Sequence, residues 1–153
     1  MTDVLFKGLV RLAQESKRNG RPAIEDAGVR QRLTTIEGYA QAHKYSGYRQ
    51  LTANLRGENV GILALMNKLH STNIGQEVAK LAFDLLDADA LTDPASSARL
   101  LGISPRNGAG WVGLFMSSLG VAIAGGTANI QRNVIAERGL GLPRDWFAQQ
   151  HGK

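Results

Sequence analysis

One pattern constrains this chain more than any other: apolar residues return every three or four positions along most of its length, and glycine, proline or acidic clusters break the runs. Residues 2–16 place Val4, Leu5, Gly8, Leu9, Leu12 and Ala13 on one stripe, with Lys7, Arg11 and Glu15 largely outside it. Gly20-Arg21-Pro22 closes that run, because glycine suits a helix C-cap and proline cannot continue the ladder. Asp26 is placed to cap a second run, in which Val29, Leu33, Ile36, Ala40, Gly47, Leu51 and Leu55 recur until Arg56-Gly57. A third carries Ile62, Leu65, Met66, Leu69, Ile74, Val78, Leu81, Ala82 and Leu85 and stops near Asp87. Trp111 to Ala124 is apolar on nearly every side, which predicts a central helix, and Asn129 to Arg138 makes a last short one before Gly139-Leu140-Gly141-Leu142-Pro143.

The expected fold is therefore all-α, an up-and-down four-helix bundle with a short extra helix, forming a single domain over 1–153. Helices are expected over 1–18, 26–56, 60–86, 110–124 and 127–138, with no convincing strand. Residues 87–109, rich in Asp, Ser, Pro, Gly and Asn, read as one long connecting loop. With 43% hydrophobic residues in 153, the chain can bury one core.

Composition also narrows function. Cysteine is absent, which removes disulfides and thiolate metal sites and fits a reducing cytoplasm. The start, Met1-Thr2-Asp3-Val4-Leu5-Phe6-Lys7, lacks the basic lead and long apolar run of a secretion signal. No stretch approaches the ~18 uninterrupted apolar residues of a membrane span. A soluble, cytoplasmic protein is expected. The net charge of +5 is spread thinly: residues 1–60 carry ten basic and six acidic side chains, and 61–153 carry eight and seven. Nucleic-acid binding, which needs a concentrated basic stripe, is not expected.

Most side chains with chemical potential have plain readings. His43 and His70 lie on helices without a second ligand at metal spacing. Asp84, Asp87, Asp89 and Asp93 lack calcium-loop spacing, so no metal site is expected. Tyr39, Tyr45 and Tyr48 read as bundle packing with polar rims, and Trp111 and Phe115, one helical turn apart, as core.

The segment Gly125-Gly126-Thr127-Ala128-Asn129 is different. A glycine pair running into a helix start leaves backbone N–H groups unpaired and unobstructed at the positive end of the helix dipole, which suits a phosphate. Thr127 can add a hydroxyl and Asn129 an amide. On physics alone the alternative stays open that Thr127 merely caps its own helix and the glycines make a tight turn.

Residues 123–144, Ile-Ala-Gly-Gly-Thr-Ala-Asn-Ile-Gln-Arg-Asn-Val-Ile-Ala-Glu-Arg-Gly-Leu-Gly-Leu-Pro-Arg, resemble the C-terminal signature of FAD-dependent acyl-CoA dehydrogenases. Asp26-Ala27-Gly28-Val29-Arg30-Gln31-Arg32-Leu33 is similar to that family's second bundle helix, and Met66-Asn67-Lys68-Leu69 to its third, so the resemblance is collinear over nearly the whole chain. It implies a C-terminal four-helix bundle that packs against an N-terminal helical and a middle β domain. Tetramers are common in the family, and the flavin lies between domains and subunits. Gly125, Gly126, Thr127 and Asn129 are then the expected contacts to the FAD pyrophosphate, and the parent reaction is α,β-desaturation of an acyl-CoA, with hydride passing to the flavin.

The resemblance also has gaps. The catalytic carboxylate most often falls where this chain has Gly125, and in other branches at a position that would lie upstream of Met1, so no catalytic residue is expected here. Gly at the base position recurs in branches handling bulky or branched acyl groups, as in fatty acid or steroid side-chain oxidation. Family contacts to the partner subunit's flavin are replaced by Ser16 and Ala27, and a glycine-rich turn by Asp87-Ala88-Asp89-Ala90, whose carboxylates would repel a diphosphate. No β domain is present to cover the flavin ring. The chain is thus expected to be a fragment or short relative, inactive alone, that forms a homo-oligomer or joins a longer acyl-CoA dehydrogenase chain. The rival expectation is a non-catalytic structural or assembly subunit.

Overall fold

A computed structural model describes residues 2–91 and 108–144. Five helices follow in order: α1 (Thr2–Glu15), α2 (Ala27–Leu55), α3 (Ile62–Leu86), α4 (Gly108–Ile123) and α5 (Ala128–Val134), the last continued by a π-helical turn over Ile135–Gly139. The architecture is all-α, as the periodicity predicts. Asp26 does cap α2: its Oδ1 accepts from Val29 N at 3.0 Å.

Two local expectations need correcting. The first helix ends at Glu15, and the chain then forms a minimal antiparallel hairpin, β1 (Lys17–Arg18) with β2 (Arg21–Pro22). Its loop is Asn19-Gly20, with φ of +52° and +79°, the left-handed pair that a two-residue type I′ turn requires. Residues 87–91 are not irregular loop but a 3₁₀ turn, Asp87–Leu91, entered through a positive φ of 49° at Asp87. The expected loop at 92–107, with Asp93, lies outside the described residues.

The core joins one half of the molecule. Leu9 and Ala13 of α1, Val29, Leu33 and Ile36 of α2, and Ile74, Val78, Leu81, Ala82 and Leu85 of α3 form one buried cluster with Trp111 of α4. A fully buried Leu or Val contributes about 1.5–3 kcal/mol, so Leu9, Leu81, Val29 and Val78 dominate it. Phe83 and Phe115 stack beside the cluster, centroids 4.5 Å apart.

The central helix is α3 and not, as its all-round apolarity suggested, α4. Every other helix packs against α3, whereas α1 and α2 meet α4 and α5 only marginally. Trp111 and Val112 of α4 are buried, but Met116, Leu119, Val121 and Ile123 are exposed. The far half of α2 behaves likewise: Tyr39, Tyr45, Tyr48, Leu51 and Leu55 are open, Leu55 at 81%. These tyrosines do not pack in the bundle, because nothing among the described residues covers that end of α2.

Polar contacts fix how α2 and α3 align. Gln50 and Asn67 exchange two amide hydrogen bonds of 2.9 and 2.8 Å, and Gln50 Nε2 also reaches Leu63 O at 3.2 Å. Near the other end Arg32 pairs with Asp84. Among the described residues no single helix is long and apolar enough to cross a membrane; α4 and the segment after it satisfy length and composition only as a pair, bent by 41°.

Candidate functional site

The turn between α4 and α5 is built around two glycines in left-handed conformations, φ +67° at Gly125 and +97° at Gly126. Gly126 also needs its lack of a side chain: a Cβ there would come within 3.0 Å of Gln131 Nε2 and 3.4 Å of Ile130 Cγ2. Both glycine carbonyls are held by side chains. Gln131 Nε2 donates to Gly125 O at 2.7 Å, and Lys68 Nζ, from α3, donates to Gly126 O at 2.6 Å and to Ala122 O at 3.2 Å.

Thr127 is the N-cap residue by backbone conformation (φ −63°, ψ 166°), and its carbonyl receives Gln131 N at 2.9 Å. Its side chain makes no capping hydrogen bond. The plain alternative, a threonine occupied in capping its own helix, is therefore not what this geometry contains. The N–H groups of Gly126, Thr127, Ala128 and Asn129 donate to no backbone carbonyl among the described residues. Asn129 lies one turn along, where its Oδ1 accepts from Arg132 Nη1 at 3.2 Å. Gly125, Thr127 and Asn129 are all exposed. The result is an open helix start with free donors, one free hydroxyl, and two cationic side chains, Lys68 and Arg132, beside it. Lys68 bears no carboxylate partner among the described residues. Gly125 supplies no side chain, so nothing at that position can take a proton.

Ser16, Ala27 and Asp87–Ala90 lie away from the glycine turn: Ser16 follows α1, Ala27 opens α2, and Asp87–Ala90 follow α3. Ser16 O accepts from Ala23 N at 2.8 Å where the hairpin joins α2, and Arg32, just inside α2, bridges to Asp84 at the end of α3. Lys68 lies 18 residues before Leu86, which at ~1.5 Å rise per residue places the two about 27 Å apart along α3. The acidic turn and the glycine turn therefore do not face one another within a chain. Asp87 and Asp89 are exposed while Ala90 between α3 and α4 is buried.

Between α2 and α3 an open groove of about 430 Å³ is lined by Gln31, Arg32, Thr35, Tyr39, His70 and Glu77, among others. His43 sits on α2 within electrostatic reach of His70, and its pKa is lowered, first by burial and then by the neighbouring His70. Among the described residues no group of three or more His, Cys, Asp or Glu is arranged to hold a metal ion. Lys68 entered the sequence reading only as part of a helix motif; its grip on the glycine turn has no local signature, because its acceptors are carbonyls 54 and 58 residues away.

Known proteins share this architecture. The fold matches a structure of the Tcur3481-Tcur3483 steroid ACAD with a TM-score of 0.70 at 22% identity, over 94% of this chain and 35% of that one. It also matches the ChsE4-ChsE5 complex from Mycobacterium tuberculosis with a TM-score of 0.67 at 22% identity, over 94% and 36%. In sequence the chain is 29% identical over 136 residues to acyl-CoA dehydrogenase IpdE1 of Mycolicibacterium smegmatis, covering 88% of this chain and 30% of that protein. It thus spans about a third of the length of these relatives. Residues 3–140 match the family model for the acyl-CoA dehydrogenase C-terminal domain: the chain is a member of the acyl-CoA dehydrogenase family and carries that domain.

Proposed function

We propose that this chain is a flavin-holding, non-catalytic part of an acyl-CoA dehydrogenase assembly. Gly125, Gly126, Thr127 and Asn129 meet the pyrophosphate of FAD, and a longer chain supplies the catalytic carboxylate and the cover over the flavin ring. The observation that carries this reading is the unused Thr127 hydroxyl beside unpaired N–H groups at a helix start. The residues at this end suit a diphosphate. Those at the other end of α3 do not: Asp87 and Asp89 stand where a glycine-rich turn would be needed. FAD, when bound, supplies the hydride acceptor; this chain's own residues orient its phosphates and nothing more. Desaturation of an acyl-CoA with a bulky or branched acyl group is the reaction we assign to the assembly.

The exposed α2 stripe of Tyr45, Tyr48, Leu51 and Leu55 favours the assembly role as well, since so much contiguous apolar surface is normally covered by a partner. A purely structural subunit is the second reading, and the two acidic residues at Asp87 and Asp89 favour it.

Calorimetric titration of the purified chain separates them, with FMN, which lacks the second phosphate, and Thr127→Ala as controls. The flavin-holding reading expects FAD to bind, FMN to bind far more weakly, and the variant to lose FAD. Equal binding of FAD and FMN, or an unaffected variant, refutes it; no binding of either leaves the structural subunit. In both readings the chain alone reduces no artificial electron acceptor with any acyl-CoA.

A further inference from the structure

The geometry points to Lys68 as the positioning residue that aims the amides of the glycine turn outward, an inference that rests on the flavin-holding reading for its ligand but not for its mechanics. The other charged residues of α3 have conventional partners: Lys80 pairs with Glu77 at 2.9 Å, and Asp84 with Arg32. Lys68 is instead half-buried and spends its ammonium on two main-chain carbonyls. Ala122 O is among the last carbonyls of α4, which have no helical partner and carry the negative end of its dipole. Gly126 O lies beyond the helix, directly before the N-cap of α5. One cation therefore ties the end of one helix to the start of the next.

The consequence follows from peptide planarity. In a trans peptide the C=O and N–H point in opposite directions. With Gly126 O drawn toward Lys68, the Thr127 N–H of the same peptide unit must point away from α3, toward the open side of the turn. Gln131 does the same for the preceding unit: Gly125 O turned to Nε2 sends the Gly126 N–H the other way. Glycines at φ +67° and +97° do not enforce these orientations themselves, since glycine populates both signs of φ with similar ease. The side-chain clamp does, and the charge-assisted bond at 2.6 Å is its strongest member. A structural lysine would need only to stabilise the bundle; this one also sets which way the donors face and leaves a positive charge behind them.

The test compares Lys68→Met, which keeps the aliphatic stem, with Lys68→Arg, which restores a cation. Amide hydrogen exchange and ¹⁵N–¹H shifts of Gly126 and Thr127 are read without ligand, and FAD affinity by calorimetry. Lys68→Met is expected to slow exchange at Thr127 severalfold, because its N–H is no longer held outward beside a cation, to move both amide shifts, and to weaken FAD at least tenfold; Lys68→Arg recovers most of each. Unchanged amide shifts and exchange in Lys68→Met overturn the inference, as does a loss of FAD affinity that Lys68→Arg fails to recover. Thr127→Ala keeps the two readings apart, because it removes a ligand contact without releasing Gly126 O. If the wild-type chain binds no FAD, the flavin-holding reading fails and the amide measurements alone decide the role of Lys68.

Discussion

Removing a side-chain oxygen at two helix starts should have unequal consequences for the stability of this molecule. Asp26 and Thr127 both occupy N-cap positions, and helix-capping rules alone would give both a similar weight. Asp26 Oδ1 accepts from Val29 N at 3.0 Å, and its charge lies at the positive end of a 29-residue helix. Losing the cap bond costs about 1 kcal/mol, and losing the charge at the dipole a further ~0.3–1 kcal/mol. The nearby Arg18, 3.7 Å away and half-exposed, adds little after solvent screening. Asp26→Ala should therefore lose roughly 1–2 kcal/mol, a fall in Tm of about 2–8 °C for a chain of this size. Thr127→Ala removes a hydroxyl that caps nothing, so its loss should stay within about 0.5 kcal/mol, as for an ordinary surface change. Urea denaturation followed by circular dichroism measures both. A loss of 1 kcal/mol or more in Thr127→Ala would show the hydroxyl capping α5 in solution, and the argument that it is free for a phosphate would collapse.

Three further outcomes can be checked. Gly139→Ala should destabilise by about 1–3 kcal/mol through overpacking, because a Cβ there would stand 2.9 Å from Ile62 Cγ1; Ile62→Val should recover part of the loss in the double variant. His43 has a lowered pKa in the folded chain, through burial and then His70, so the unfolded chain binds its proton first as pH drops. Stability should be level above the ordinary histidine value and decline as pH falls from about 6.5 toward the lowered folded value, and His43→Gln should flatten that slope in denaturant titrations. Leu51→Glu in the exposed α2 stripe should reduce the sedimentation coefficient of any assembly without unfolding the chain; an unchanged coefficient would mean that this face lies outside the interface.

Much of the bundle could be read from the sequence, and the misreadings have distinct physical origins. The stripes of α1 and α3 and the cap at Asp26 follow from local spacing and from a carboxylate within reach of its own helix start. The hairpin was hidden because its strands are only Lys17–Arg18 and Arg21–Pro22, with no alternating apolar residues; Asn19-Gly20 was its one signal. The misplacement of α4 came from a different source. A helix apolar on all sides must be covered, but periodicity does not say whether its own chain or another covers it. Met116, Leu119, Val121 and Ile123 are left uncovered here. Gly125, Gly126 and Thr127 stood out because glycine pairs and N-cap residues are local features. Lys68 did not, since its partners are backbone atoms brought near only by packing.

The central place of α3 bears on how quickly the chain can find its fold and lose it. Helix pairs adjacent in sequence, α2 with α3 and α3 with α4, supply most of the inter-helix packing, which gives low contact order and predicts rapid folding. Any transition state that joins two helices must nearly always include α3, since α1 and α2 scarcely meet α4 and α5. Truncating Leu81 or Val78 should therefore slow folding, whereas truncating Val112, buried on α4, should mainly hasten unfolding. A chevron analysis of those variants would show whether the helix that carries Lys68 is also the one around which the others condense.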